Sequence, residues 1–100
     1  MIIYGYAKEY RYTGDGTLLI KCRVPLMHGP YNYNDFKGTI PKRYVQDKDL
    51  PFYPSVLLPS LPIEGDVVAL CALDGGNEHF LIIGLTGANY NSGATNIGGV

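Results

Sequence analysis

Two stretches constrain this chain more than any others. Val67-Val68-Ala69-Leu70-Cys71-Ala72-Leu73 and Phe80-Leu81-Ile82-Ile83-Gly84-Leu85 carry no polar side chain at any position. Each has the length of a β-strand and falls far short of the ~20 apolar residues a spanning helix needs. Between them stands Asp74-Gly75-Gly76-Asn77-Glu78, the clearest hairpin signal in the sequence. A hairpin that is apolar on both faces needs cover on both sides. One face turns to the core. The other is covered either by a second chain or by the excursion at 26–53 folding back over it. With no long helical pattern anywhere in the sequence, a second chain is the expected source.

The remaining strands are read from period-two alternation. Tyr4, Tyr6, Lys8, Tyr10 and Tyr12 alternate with Gly5, Ala7, Glu9 and Arg11, which predicts a half-buried first strand. Thr13-Gly14-Asp15-Gly16 is a tight turn. In the second strand Leu18, Ile20, Cys22 and Val24 share one face, and Pro25 ends it. Turn chemistry dominates 26–53, with room for one or two helical turns over 39–47 behind Pro41. A third strand is predicted at 55–60 between Pro54 and Pro59, a fourth at 67–73 and a fifth at 80–85. The expected fold is all-β: a small five-stranded OB-fold (Greek-key) barrel with a long loop between strands 2 and 3. It occupies residues 1–87, and the Gly/Asn/Ser-rich residues 88–100 read as a flexible tail or a linker to a further C-terminal part.

Composition narrows the function classes. One hundred residues, 46% hydrophobic, support one small domain, and a net charge of -1 gives no general pull on nucleic acid or anionic lipid. Met1-Ile2-Ile3 runs straight into a polar, tyrosine-rich segment, which is not the pattern of a secretory leader. Cys22 and Cys71 each lie in an apolar stretch and read as small, reduced, buried residues. His28 and His79 have neither the spacing nor the cysteine neighbours of a metal site, and the carboxylates are scattered through turns. No catalytic residue, metal or cofactor is therefore expected, and the chain is read as non-enzymatic. The unusual feature is aromatic: nine tyrosines, three phenylalanines and no tryptophan. Tyr4, Tyr6, Tyr10 and Tyr12 beside Lys8, Lys21 and Arg23 would suit a single-stranded nucleic-acid platform. Eight basic against nine acidic residues argue against that alternative.

Four segments, in order, resemble a known family. These are Arg23-Val24-Pro25-Leu26-Met27-His28-Gly29, Asp49-Leu50-Pro51-Phe52-Tyr53-Pro54-Ser55-Val56-Leu57-Leu58-Pro59, Glu64-Gly65-Asp66-Val67-Val68, and the hairpin from Asp74 to Gly84. Together they resemble the N-terminal OB-fold domain of the central spike of contractile phage tails, related to the valine-glycine repeat spikes of type VI secretion. Phe52 stands where that family usually has tryptophan, and Phe80 where it usually has proline.

The resemblance implies a structural part of a phage tail baseplate or a phage-like contractile injection system. In that role the chain joins the tail hub protein to the cell-puncturing spike, as a homotrimer in the assembled virion. It would be made in the host bacterial cytoplasm, with a β-helix or a wall-degrading domain following the barrel. No membrane contact is expected. The candidate partner-contact residues are Tyr31, Tyr33, Phe36, Tyr44 and Phe52 in the excursion, with core paving an equal reading for Phe52. Leu81, Ile83 and Leu85 are expected on the outer face of strand five, although Phe80 and Ile82 would take that face if the parity were reversed.

Overall fold

The computed structural model describes residues 1–31, 44–74 and 79–91. Its strands are β1 (Ile2–Tyr12), β2 (Leu18–Arg23), β3 (Phe52–Pro54), β4 (Asp66–Ala72) and β5 (Phe80–Asn89). A single helical turn, α1 (Pro25–His28), follows β2, and a 3-10 turn (Asp47–Asp49) precedes β3. The fold is all-β: one antiparallel five-stranded sheet in the order β3-β2-β1-β4-β5. The sheet is not closed. Its two edges approach at one point, where Ser55 forms a parallel bridge with Ile82 and the Val56 N–H donates to the Ile82 carbonyl at 3.0 Å.

The core lies on one face of this sheet. Ile3 and Ala7 come from β1, Ile20 and Cys22 from β2, Tyr53 from β3, Val68 and Leu70 from β4, and Phe80 and Ile82 from β5. The even-numbered row of β2 is thus inside, as its alternation predicts. Burial pushes the Cys22 thiol up to about 12 and, with Cys22 beside it, the Tyr53 phenol also to about 12. Tyr53 meets Phe80 edge-on at 6.0 Å between centroids, joining the two edge strands across the core.

In the first strand the odd residues Ile3, Gly5 and Ala7 face inward and Tyr4 points out, a choice the alternation leaves open. Several expectations need correcting. The tyrosine row is not on one face. The β1–β2 register slips between Ala7 and Glu9, so that Tyr10 and Tyr12 stand opposite core residues Ile20 and Leu18. A bulge at Lys8 inverts the parity beyond it. Tyr10 and Tyr12 lie past the end of the core and stay exposed, with their rings 6.2 Å apart.

The third strand is Phe52–Pro54, earlier than the predicted 55–60. Tyr53 supplies its inward anchor, and Pro54 is tolerated because β3 is an edge. Leu57, 85% exposed, has no core to face. The helix predicted over 39–47 falls partly outside the described residues, and the described part shows only the 3-10 turn at Asp47–Asp49. β5 runs on to Asn89, with Ala88 and Asn89 buried, where the sequence reading starts a tail. Cys71 is half-buried on the outer face rather than in the core, and both cysteines are free.

Gly65 shows how the second half is tied to the first. It holds a positive φ of 92°, its N–H donates to Ala7 and its carbonyl accepts from Tyr90, both at 2.8 Å. A Cβ there would meet Asn91 Nδ2 at 2.7 Å and Asn89 Oδ1 at 3.0 Å. Gly65→Ala is expected to cost about 2 kcal/mol in urea denaturation. Gly14→Ala, at an open position, should change stability by less than about 0.5 kcal/mol.

Candidate functional site

The outer face of the sheet, opposite the core, has two differently treated halves, and β1 is the seam. On the β2 side lies Arg23. It is fully buried although it belongs to the outward row of β2 and pairs with Tyr6 of β1. What buries it is the base of the excursion. Its Nη1 donates to the His28 carbonyl at 2.6 Å, and its Nη2 donates to the Val45 carbonyl and to Asp47 Oδ1, the latter at 2.8 Å. The Tyr44 ring lies 4.5 Å from the guanidinium carbon. The two ends of the excursion also bond directly, Val45 N–H to His28 carbonyl at 3.0 Å. One guanidinium fork thereby gathers three acceptors from both ends of a long insertion. Its Nε makes no hydrogen bond among the described residues.

His28 completes this neck from the other side. Pro25 opens α1 with its fixed φ. The Val24 N–H donates to His28 Nδ1 at 2.8 Å, so the neutral ring carries its proton on Nε2. Burial, with the Arg23 charge nearby, holds His28 below its usual 6.5.

Beside the neck is an open cleft of about 570 Å³, lined among others by Lys8, Tyr31, Tyr44, Asp47, Glu64 and Asn91. Lys8 is its centre. The bulge that turns Lys8 out of register aims its ammonium at Asp47 (3.4 Å) and Glu64 (3.8 Å) and over the Tyr31 ring at 3.8 Å. Tyr31 packs on Tyr90 at 4.2 Å and on Tyr6 at 5.1 Å, and its hydroxyl accepts from Asn91 at 2.9 Å. Partial desolvation pushes Asp47 up, but the Arg23 hydrogen bond and the Lys8 charge outweigh it and hold the carboxyl below 3.8. Asp47 is therefore a fixed anion that positions cations, and it is a poor proton donor.

The β4–β5 half is bare among the described residues. Ile2, Cys71 and Leu81 stand in register across β1, β4 and β5, and Tyr4, Ala69 and Gly84 form the next level. Tyr4 is 59% exposed and Ile83 38%. The base of the excursion thus folds back over β1 and β2, not over the apolar hairpin.

No family model, curated protein or solved structure matches the chain. The site is therefore read from its own geometry. Of the candidate contact residues, Leu81 and Ile83 do lie outward on β5. Leu85 does not: the register slips again at Ile83, which puts Leu85 opposite buried Val68 and against the core. Phe80 and Ile82 are the inward pair. Tyr31 and Tyr44 are engaged within the chain, on Lys8 and on Arg23. Phe52 sits under Arg11 at 4.3 Å and Lys21 at 5.7 Å, and the core-paving role belongs to its neighbour Tyr53. Tyr33 and Phe36 lie outside the described residues. Sequence reasoning missed Arg23, Lys8, Asp47 and Glu64 as a group. A lone arginine in an otherwise apolar strand end was the available signal for the first.

The neck predicts a distinct acid response. Unfolded His28 gains a proton near pH 6.5 and the folded form only at lower pH, so its contribution is complete above that value and is lost as pH falls through the folded pKa. Asp47 adds a second loss below its usual 3.8. Urea midpoints measured from about pH 7.5 down to about pH 4.5 should fall, and His28→Asn, which keeps an acceptor near Nδ1, should flatten that slope. Arg23→Met should cost about 3 kcal/mol, because buried acceptors and Asp47 lose their partner. Arg23→Lys should not restore it, since a single ammonium cannot span the three acceptors.

Proposed function

We propose that this chain is a structural adaptor of a contractile tail or related injection machine, built on an OB-type barrel and joining a hub to a spike. The order of the four family-like segments along the chain is the observation that carries the reading. The strand order supports the barrel: β1 lies between β2 and β4, and the edges β3 and β5 meet in parallel at Ser55 and Ile82, the contact that would close a five-stranded Greek-key sheet. Two of the segments hold the neck and the Gly65 turn in place, which accounts for their residue types without any reaction. An apolar sheet face that no described residue covers is what a part of a larger particle presents. In this reading the particle is the virion tail, the hub is the partner and the assembled form is trimeric.

A single-stranded nucleic-acid binder has one observation in its favour, the exposed pair Tyr10 and Tyr12. The cations near them are engaged: Arg11 lies on Phe52, and Lys21 pairs with Glu9 at 3.5 Å.

The test is co-expression with a hub protein of a contractile tail. Co-purification as a defined complex is expected, with no retention of a labelled oligonucleotide at about 50 mM salt. Oligonucleotide binding that weakens steeply with salt, together with no hub complex, would overturn the proposal.

A further inference from the structure

We infer that His28 is an acid-released latch: a proton on its ring frees both ends of the insertion from Arg23 and from each other, while the sheet stays folded. The inference is independent of the adaptor reading. It goes beyond the general loss of stability in acid, because it names the contacts that part first.

The geometry puts two attachments on one residue. The His28 ring accepts the Val24 N–H at Nδ1, 2.8 Å away, which pins it to the end of β2. Its backbone carbonyl accepts from Arg23 Nη1 at 2.6 Å and from the Val45 N–H at 3.0 Å. Between ring and carbonyl stands α1, a single turn in which the Met27 and His28 N–H groups donate to the Val24 carbonyl at 2.9 and 2.8 Å. One helical turn has little stability of its own. The ring closes it by reaching back to the N–H of its own N-cap, as the return half of a capping box does. Release of the ring therefore loosens α1, and the carbonyl that ties Arg23 to Val45 moves with it.

Protonation removes this closure. A charged imidazole carries a hydrogen on both nitrogens and accepts nothing, so the N–H of fully buried Val24 is left facing another donor. The new charge also stands beside Arg23, itself a buried cation. The other charged and titratable groups of the neck are committed elsewhere. Asp47 holds Arg23 at 2.8 Å and Lys8 at 3.4 Å, and the Tyr44 ring lies on the guanidinium. Among the described residues no carboxylate bonds the His28 ring, so the added charge is uncompensated. The core lies on the opposite face of the sheet and holds β1, β2 and β4 together without these bonds.

Heteronuclear NMR of the full chain from about pH 7.5 down to about pH 4.5, with amide exchange measured at both ends, tests the latch. The opening constant should rise about tenfold per pH unit below the usual 6.5, until the closed neck itself takes up the proton. The Val24 and Val45 amides should shift with the same midpoint as the His28 ring. At the acid end Val45 should exchange within about tenfold of an unstructured peptide, while Ile20 and Leu70 stay at least about a hundredfold slower. His28→Asn should keep the Val45 amide in place and protected across the range. His79→Gln, which changes the exposed histidine bonded to Asp74, should titrate like wild type. A Val45 amide still protected at the acid end overturns the inference, as does one lost only together with Ile20 and Leu70. So do a His28 ring that titrates while Val24 and Val45 stay fixed, or a His28→Asn protein that opens with the wild-type midpoint. Should the Asn variant not fold, the wild-type comparison of Val45 with Ile20 and Leu70 decides by itself.

Discussion

The Arg23 guanidinium is the constraint on which the arrangement around the site depends. An outward-pointing arginine on β2 would ordinarily be solvated. Here its fork is covered by His28, Val45 and Asp47, residues separated along the chain by a long insertion. Burying such a charge is costly unless every neighbour is a good acceptor, and that requirement fixes where both ends of the insertion must sit. Once they are fixed, Asp47 is in place to draw Lys8, and Tyr31 and Tyr44 are brought to the same cleft. The cleft follows from the staple.

The second organising device is the β-bulge, used twice. At Lys8 it sends the tyrosines beyond it to the other face, and at Ile83 it turns Leu85 into the core. A bulge adds one residue to one strand and reverses everything downstream of it. Neither local alternation nor composition marks such a position. This is why the tyrosine row read as one face is split between two, and why Leu85 was grouped with Leu81 and Ile83.

What was legible follows the same logic. The β2 row and the all-β class depend on short-range patterns, and those readings agree with the structure; the fifth strand is found where its apolar run predicts, but the bulge at Ile83 breaks its parity. The third strand lies earlier than its sequence signal because Pro54 reads as a boundary. An edge strand needs a donor on one side only, so the proline sits inside it. The cleft was not legible, because Lys8, Tyr31, Asp47, Glu64 and Asn91 come from five separate stretches that only the folded sheet brings together. Tyr31 and Tyr44 are read from the sequence as contacts to a partner chain, and in the structure their rings lie on this chain's own cations, Lys8 and Arg23.

Among the described residues the outer face is divided. Both anchors of the insertion are on the Arg23 side of β1. On that side the covering is polar and directional, with fixed hydrogen bonds and ion pairs, which suits a permanent contact within one chain. On the other side β4 and β5 offer only apolar surface, where contact is non-directional and its strength follows the area buried. Among the described residues, the half that is covered is therefore the half to which both ends of the insertion are bonded, and its contacts are what tie the insertion to the sheet.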